Sequence, residues 1–552
     1  MNFANLYRTF AIKERRLFTG AAITLIAAAS LWGISVFYST TVAEPVEGGS
    51  YVEAIIGQPA TINPLILSDN DADRDLVELL FADLSELTET HKTNADQTIW
   101  NFVLRKNLLW SDGEPLTSDD VIFTIQAIQN SAVRSSLYSS WQGVIAERLG
   151  ELEVRFTIRN PYVFFFDNTR RLKIVPKHIF GAIPFENLRL SDYNLEPIGS
   201  GPYMFQGFKK RKDGFIEEYR LVANPRSVLA TPLIKNITLR FFEKKTDALT
   251  ALATREVQGL GGLTIADLEK IQVSHQIFTL KIPQYYALFF NQTISSTLKE
   301  KPVREALAYA TDKKKLVETI FADQAAVADG PLPGLMADYI SATPEKDFNL
   351  ETAKDILETA GWKIPDDSSD GIRAKIVNKN PLRLAFEMVV PRVPFLVQTA
   401  NAVKEDWKKI GIETNLIILD PTEVVRTALK TRNYQILLFG NILNDNPDIF
   451  SFWHSSQRFY PGLNLALYEN REVDDLLETI RQNPDPIERN RGLVQLQEQI
   501  RADQPALFLY TPFYLYAGPK NFGGMTTETI VTPAERFRNA EKWYLKTARI
   551  FK

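Results

Sequence analysis

An uncharged run near the N-terminus constrains this chain more than any other feature. Residues 17–38 are 22 residues without an acidic or basic side chain. As a helix that rises about 1.5 Å per residue, the run would cross the roughly 30 Å hydrocarbon core of a bilayer once. Four basic residues precede it, at Arg8, Lys13, Arg15 and Arg16. This bias predicts that residues 1–16 stay in the cytoplasm and that the chain beyond Tyr38 lies outside the cell membrane.

A cleaved secretory signal is the alternative interpretation of the same run. Residues 41–43, Thr-Val-Ala, would serve as its small-residue cleavage site. The run is longer than the usual apolar region of such a signal, about 7 to 15 residues, so we expect an uncleaved single-pass anchor. Residues 39–50 contain Pro45, Gly48 and Gly49, and would then form a short flexible linker.

Cysteine content and charge narrow the class of protein. The chain has no cysteine, which excludes a lipid-thioether anchor, disulfide bonds, cysteine-ligated zinc and a catalytic thiol. The formal net charge is −4, and this weakly acidic balance argues against a nucleic-acid-binding surface. The part beyond the run, roughly 500 residues, is long enough for two or more domains.

Apolar periodicity predicts strands and helices that alternate along the chain. Strands are predicted at 51–56, 99–104, 151–158, 217–222 and 237–242. Helices are predicted at 73–81, 246–254, 303–310, 313–321, 351–360, 394–410, 423–430, 473–482 and 487–501. This alternation indicates α/β lobes whose sheets are covered by helices. Two apolar stretches, 277–291 and 506–516, are candidates for the chain's crossings between lobes.

A strand, a turn and a capped helix follow one another after residue 98. Residues 99–104 are rich in β-formers, residues 111–113 (Ser-Asp-Gly) suit a turn, and Thr117 with Asp120 forms a capping-box-like helix start. We interpret Trp110 and the turn as scaffold, because buried aromatics and Asp-Gly turns are common structural elements.

Catalytic and metal-binding patterns are missing from the sequence. It contains no HExxH, GxSxG or Walker-type motif, and no GxGxxG after a strand. The histidines are scattered, without a pair at ligand spacing: His91, His178, His275 and His454. We therefore expect a protein that is not an enzyme and that has no catalytic residue, metal site or cofactor.

Residues 102–121 resemble the signature of the family 5 extracellular solute-binding proteins, the oligopeptide and dipeptide receptors of ABC importers. Further blocks follow in the family's order across roughly residues 51–515. They are 197–203 (PIGSGPY), 290–291 with 301–312, 353–362 (AKDILETAGW), 407–412 (WKKIGI) and 473–477 (VDDLL).

The resemblance implies an α/β, bilobed, periplasmic-binding-protein-like fold of type II, hinge-closing, with an extra subdomain, here preceded by one transmembrane helix. The implied division is a cytoplasmic N-terminus 1–16, an anchor 17–38, a linker 39–50, lobe I 51–92, a subdomain 93–194, lobe I 195–280, lobe II 281–510 and lobe I 511–552. Lobe I is thus built from both ends of the chain.

The resemblance also implies a function. Such a receptor, a monomer outside the membrane, captures peptides between its lobes and delivers them to two permease subunits driven by cytoplasmic ATPases. One alternative is the same fold binding another solute, an oligosaccharide or a metal chelate. A second is a surface protein that keeps the fold for interaction or signalling. A hydrolase with paired carboxylates is a distant third.

By position in the family pattern, three places would face the ligand. The first is the loop after the predicted strand 51–56, where Ser68 and Asn70 are candidates for pairing with an extended peptide; a solvated loop is the alternative. The third is the return crossing, 506–516, where Tyr510 matches the family's ligand-contacting tyrosine. A core tyrosine is the alternative there.

The second place is the loop with Gly440, Asn441, Asn444 and Asp445. In peptide-binding members it resembles Gly-Trp-x-x-Asp-Tyr-x-x-Pro, whose Asp accepts the peptide's ammonium. Here the chain departs, because Leu443 or Asn444 stands at the acidic position, depending on the anchor residue, and Asn441 replaces the Trp. Asp445, one residue away, would either compensate or cap the turn before Pro447.

Overall fold

The computed structural model describes residues 11–67, 69–271, 275–334, 347–366, 368–377, 379–444 and 446–551. Its strands, in chain order, are β1 Thr41–Pro45, β2 Ser50–Ile56, β3 Thr88–Thr93, β4 Ile99–Leu104, β5 Ile145–Gly150, β6 Glu153–Thr157, β7 Tyr203–Lys210, β8 Ile216–Ala223, β9 Asn236–Phe242, β10 Gly259–Leu263, β11 His275–Leu280, β12 Gln284–Phe290, β13 Ala325–Val327, β14 Ala374–Val377, β15 Asn380–Arg383, β16 Ala385–Pro391, β17 Glu413–Leu419, β18 Ile436–Ile442, β19 Ala506–Pro512, β20 Tyr514–Pro519 and β21 Thr547–Phe551.

The α-helices, in chain order, are α1 Ile12–Thr40, α2 Asp71–Leu80, α3 Leu84–Leu87, α4 Ser118–Gln129, α5 Tyr138–Trp141, α6 Phe165–Thr169, α7 Lys177–Phe180, α8 Lys245–Ala253, α9 Ile265–Leu268, α10 Ser296–Lys299, α11 Lys301–Tyr309, α12 Lys313–Phe321, α13 Leu350–Thr359, α14 Pro394–Lys408, α15 Pro421–Val424, α16 Phe450–Trp453, α17 Arg471–Gln482 and α18 Pro486–Asp503.

Helix α1 stands apart from the rest of the fold. None of its residues is buried, and it is long and apolar enough to cross a membrane by length and composition. The prediction of a flexible linker at 39–50 is wrong for its first residues. Strand β1 follows α1 directly and pairs antiparallel with β21. The C-terminus thus holds this segment by main-chain hydrogen bonds.

Lobe I contains a seven-stranded sheet in the order β11-β20-β10-β2-β9-β8-β7. Strands β2, β9 and β10 are parallel, and β20 comes from the far end of the chain. Strand β9 alternates buried and half-buried residues, so one of its faces is buried more deeply than the other. Helix α2 packs on one face with Trp543, and α8 packs on the other.

The subdomain is an antiparallel sheet in the order β3-β4-β6-β5. Its first strand, β3, begins at Thr88 and pairs with β4, so the expected boundary at residue 93 coincides with the end of β3. Thr117 caps α4 in a capping box with Asp120, as predicted, and Trp110 is fully buried. The signature is therefore scaffold.

Lobe II contains a six-stranded sheet in the order β13-β19-β12-β18-β16-β17. The central strands β12 and β19 are buried on both faces, which explains their continuous apolar sequences. Helices α11 to α14 cover one face and α17 with α18 the other. The chain enters this lobe between β11 and β12 and leaves it between β19 and β20, inside the two predicted crossing stretches.

Most predicted elements agree with the structure to within one to three residues. Helix α12 has the predicted bounds, because Asp312 caps its start and accepts from the amide of Lys315. The single helix predicted at 423–430 is wrong: α15 ends at Val424 and a π-helical turn, Val425–Leu429, follows.

Candidate functional site

The carboxyl ends of parallel strands mark where ligands bind in open α/β sheets. In lobe II, β16 and β18 run parallel and end at Pro391 and Ile442. The loop after β18 starts against the entry crossing, since the amide of Leu443 donates to the carbonyl of Pro283 at 2.7 Å. The end of β18 and the loop that follows it together contain four of the seven predicted site residues: Gly440, Asn441, Asn444 and Asp445.

Gly440 makes room for an aromatic side chain that the sequence reasoning missed. Gly440 lies opposite Tyr286 on β12, and Tyr286 lies opposite Tyr510 on β19. A Cβ added at Gly440 would stand 2.7 Å from the Tyr286 ring. The half-buried Tyr286 thus lies between Gly440 and Tyr510 in a row across three strands. Its only signal in the sequence was the doublet Tyr285-Tyr286 at the start of an apolar stretch.

Tyr510 belongs to an aromatic cluster beside this row. Its ring lies 4.8 Å from that of Phe321 and 5.8 Å from that of Tyr286, and Phe395 contacts Tyr286 at 5.1 Å. Tyr510 is fully buried, its hydroxyl lies 2.6 Å from the hydroxyl of Thr399, and burial raises its pKa. Tyr510 therefore packs in the core beside Tyr286 and Phe395, and its contact with a ligand stays a prediction.

Asn441 points away from Gly440, as strand alternation requires. It is buried, and its amide donates to the hydroxyl of Tyr285 at 2.9 Å. Its side chain thus has a partner inside lobe II, and its contact with a ligand stays a prediction. Asn444 follows in the loop and is half-buried, and Asp445 lies outside the described residues.

The candidate residues of lobe I lie after β2. Asn70 caps α2, because its side chain accepts from the amide of Ala72 at 3.1 Å and donates to the carbonyl of Gln58 at 2.8 Å. Its amide group therefore joins the loop to the helix. Ser68 lies outside the described residues.

A buried ionic cluster under this loop escaped the sequence reasoning. Arg536 forms two hydrogen bonds with Asp75, at 2.7 and 2.8 Å, and lies 3.2 Å from Glu53. Glu53 also accepts from the hydroxyls of Tyr51 and Tyr516 at 2.6 and 2.9 Å. Burial raises the pKa of both carboxyl groups, and Arg536 opposes that rise. We call Glu53, Asp75 and Arg536 the buried cluster.

A second ionic cluster joins the subdomain to lobe II. The hydroxyl of Tyr162 donates to Asp448 at 2.9 Å, and the same carboxylate oxygen lies 3.2 Å from Nε of Arg481. The amide of Val163 donates to the carbonyl of Arg481 at 2.9 Å. Burial, and then Asp448, raises the pKa of Tyr162. We call Tyr162, Asp448 and Arg481 the latch.

Aromatic contacts extend the latch. The Arg481 guanidinium lies 4.4 Å from the ring centre of Phe450 and 5.1 Å from that of Tyr162. Phe164 is buried among lobe II residues, with Arg489 over its ring at 5.6 Å. The loop between β6 and α6 is therefore inserted into lobe II.

The histidines of the described residues have structural surroundings. His178 lies 2.8 Å from Asp112, His91 stacks on Phe166 and His454 stacks on Phe450. Within the described ranges, no three His, Asp or Glu side chains come together as a metal site.

Comparison with known proteins gives this geometry a context. The family model described as bacterial extracellular solute-binding proteins, family 5 middle, matches residues 85–460. The chain is 28% identical over 523 residues to the oligopeptide-binding protein AppA of Bacillus subtilis, covering 91% of this chain and 92% of that protein.

Two solved structures resemble the fold over nearly its whole length. The structure of Bacillus subtilis AppA in complex with a nonapeptide matches with a TM-score of 0.69 and 27% identity, covering 91% of this chain and 100% of that chain. NikZ from Campylobacter jejuni in complex with Ni(L-His) matches with a TM-score of 0.70 and 25% identity, covering 90% and 99%.

Proposed function

The chain belongs to the bacterial extracellular solute-binding proteins of family 5, and from this membership we propose that it captures peptides between two lobes for an ABC importer. Its similarity to an oligopeptide-binding relative over 91% of the chain supports this function. The two permease subunits and the cytoplasmic ATPases would be its partners, and the monomer its working form.

One structural observation carries the proposal. The loop after β18 touches the entry crossing through Leu443 and the subdomain through Asp448. Asn444 and Asn446 lie between these two contacts. A ligand bound at this loop would therefore act on the hinge and on the latch together.

The binding step follows from these parts. An extended peptide pairs its main chain with the loops after β2 and β18, while Tyr286 and Phe395 offer aromatic surface at the edge of lobe II. Main-chain hydrogen bonds supply affinity for many sequences, and hydrated pockets tolerate varied side chains. The closed state, with the latch formed, gains the ligand's differential affinity and is populated on binding.

The N-terminal part would hold the receptor in the cell membrane as a single-pass protein with its lobes outside. The cleavage site of the alternative signal peptide, residues 41–43, lies within β1, which is hydrogen-bonded to β21. Cleavage after Ala43 would remove three of the five residues of this paired strand, and this supports retention of α1 as the anchor. Extraction of cell membranes with alkaline buffer should leave the full-length chain in the pellet, whereas a mature N-terminus at Glu44 would contradict the anchor.

A metal chelate is the second candidate solute, because the fold matches NikZ with bound Ni(L-His) at 25% identity. Native mass spectrometry of gently purified fragment 48–552 decides between the two. We expect a heterogeneous set of bound peptides; a single bound metal complex would favour the alternative.

A further inference from the structure

The two ends of the folded chain are joined beside the end of α1. Strand β1 pairs with β21 so that Thr41 lies opposite Phe551 and Pro45 lies opposite Thr547. The contacts continue beyond β1, away from α1. The amide of Val46 donates to the carbonyl of Lys546 at 3.1 Å, and Glu47 forms an ion pair with Lys235 at 3.0 Å. The segment between α1 and β2 is therefore tied to the fold rather than free.

The last residues of β21 are apolar and open to the surroundings. Ile550 is 49% exposed and Phe551 is 75% exposed. The Phe551 ring packs edge-on at 6.5 Å against Phe37, and the guanidinium of Arg549 lies 3.9 Å over the ring of Tyr38. The apolar end of β21 thus continues the apolar surface of α1.

The position of this surface follows from the length of the uncharged run. At about 1.5 Å per residue the run ending at Tyr38 covers the hydrocarbon core, so Phe37 and Tyr38 lie at the outer membrane–water boundary. Aromatic side chains favour that boundary, and an arginine there can reach the lipid phosphates. Phe551, opposite Thr41, stands at the same level.

We propose that the end of β21 is a second membrane contact, in which Ile550 and Phe551 enter the outer lipid interface and Arg549 faces its phosphates. This inference rests on the proposed anchor. Together, α1 and β21 hold lobe I at a fixed height and orientation over the bilayer, because β1 is a paired strand and not a loose tether. Thr547, four residues back along β21 at about 3.4 Å per residue, stays in water.

The absence of cysteine from the chain allows a direct test. The full-length protein with Phe551→Cys, or with Ile550→Cys and Phe551 intact, is labelled with an environment-sensitive NBD probe. It is then placed in phosphatidylcholine–phosphatidylglycerol vesicles that carry a nitroxide near the top of the lipid acyl chain. Thr547→Cys is the matched control on the same strand. Quenching should be about twofold stronger at residues 550 and 551 than at 547, as expected for residues in the interface.

Equal quenching along the strand, or none at residues 550 and 551, would overturn the proposal. A mature N-terminus at Glu44 in the protein isolated from cells would overturn the anchor and this contact together. Peptide binding by fragment 48–552, measured by calorimetry, tests the receptor function separately from both.

Discussion

The buried cluster and the latch use the same chemistry in different surroundings. Each places an arginine between an aspartate and a tyrosine ring. Arg536 is 3% exposed and lies within lobe I, whereas Arg481 is 35% exposed and lies between the subdomain and lobe II. A charge pair without water is held in place, because separating it leaves an unpaired buried charge. The latch arginine is partly exposed although Asp448 is only 11% exposed, so we expect the latch to separate at a lower cost than the buried cluster.

The largest effect is expected from breaking the buried cluster. Arg536→Met leaves the carboxylates of Glu53 and Asp75 buried without their cation, so the free energy of unfolding of fragment 48–552 should fall by about 3–5 kcal/mol. Urea denaturation followed by circular dichroism measures it. Arg74→Met, on the helix that also carries Asp75 and at a pair with the fully exposed Asp69, is the control and should change stability by at most about 1 kcal/mol. If both substitutions lowered the free energy of unfolding equally, the buried cluster would be no more important for stability than an exposed pair.

The next effect separates the ligand from the latch within one loop. If Asp445 receives the peptide's ammonium, Asp445→Asn should weaken binding of free-amine peptides by about 1.5–3 kcal/mol and leave N-acetylated peptides almost unchanged. Asp448→Asn, three residues on, should weaken both kinds of peptide alike, because it acts through the latch. Calorimetry on the two peptides measures both variants. Equal affinities of the wild-type protein for the two peptides would mean that Asp445 does not read the amino terminus.

A smaller effect is expected from the latch tyrosine. Tyr162→Phe removes the donor to Asp448 but leaves Arg481 beside that carboxylate, so no charge becomes unpaired. Peptide affinity should fall by about 1 kcal/mol, the worth of one hydrogen bond in the closed state, with unchanged stability. Calorimetry and urea denaturation measure the two quantities. The control is Tyr193→Phe on the exposed subdomain surface, and an unchanged affinity in Tyr162→Phe would remove the latch from the mechanism.

The smallest effect concerns a charge cluster of intermediate burial, where Lys173 lies 3.2 Å from Glu78 and 4.0 Å from Glu86. Burial raises the pKa of Glu86 from 4.5 to about 7, with Lys173 opposing the rise. An acid whose pKa is higher in the folded state than in the unfolded state stabilises the folded protein below its unfolded pKa. This contribution is lost as the pH rises toward 7. Relative to Glu86→Gln, the wild-type fragment should therefore lose on the order of 1 kcal/mol of stability between pH 5 and pH 8. If the stability of the wild-type fragment relative to Glu86→Gln stays constant or rises with pH, the raised pKa of Glu86 is contradicted.

Local patterns in the sequence predicted local structure well. Thr117 with Asp120 predicted where α4 starts, because capping depends on a neighbour three residues away. The apolar stretches 277–291 and 506–516 were predicted as crossings between lobes, and they also contain β12 and β19, which are buried on both faces. The family resemblance added the order of the lobes, which no local pattern contains.

The contacts that distinguish the two ionic clusters were beyond such patterns. Arg536 and Asp75 are 461 residues apart in the chain, and Tyr162 and Asp448 are 286 apart. The burial of Tyr510 was also beyond such patterns, since its position in the family pattern carries no information about how deeply it is buried. Tyr286 and Phe395 became candidates only when Gly440 and the sheet register placed them at the edge of lobe II.

Closure of the lobes around a peptide is the central claim, and small-angle scattering of fragment 48–552 tests it most directly. The peptides released from the purified protein are added back to peptide-free fragment. The radius of gyration should decrease at saturation, because the ligand binds the closed state preferentially. A radius of gyration that stays the same at saturating peptide would contradict a receptor that works by closing.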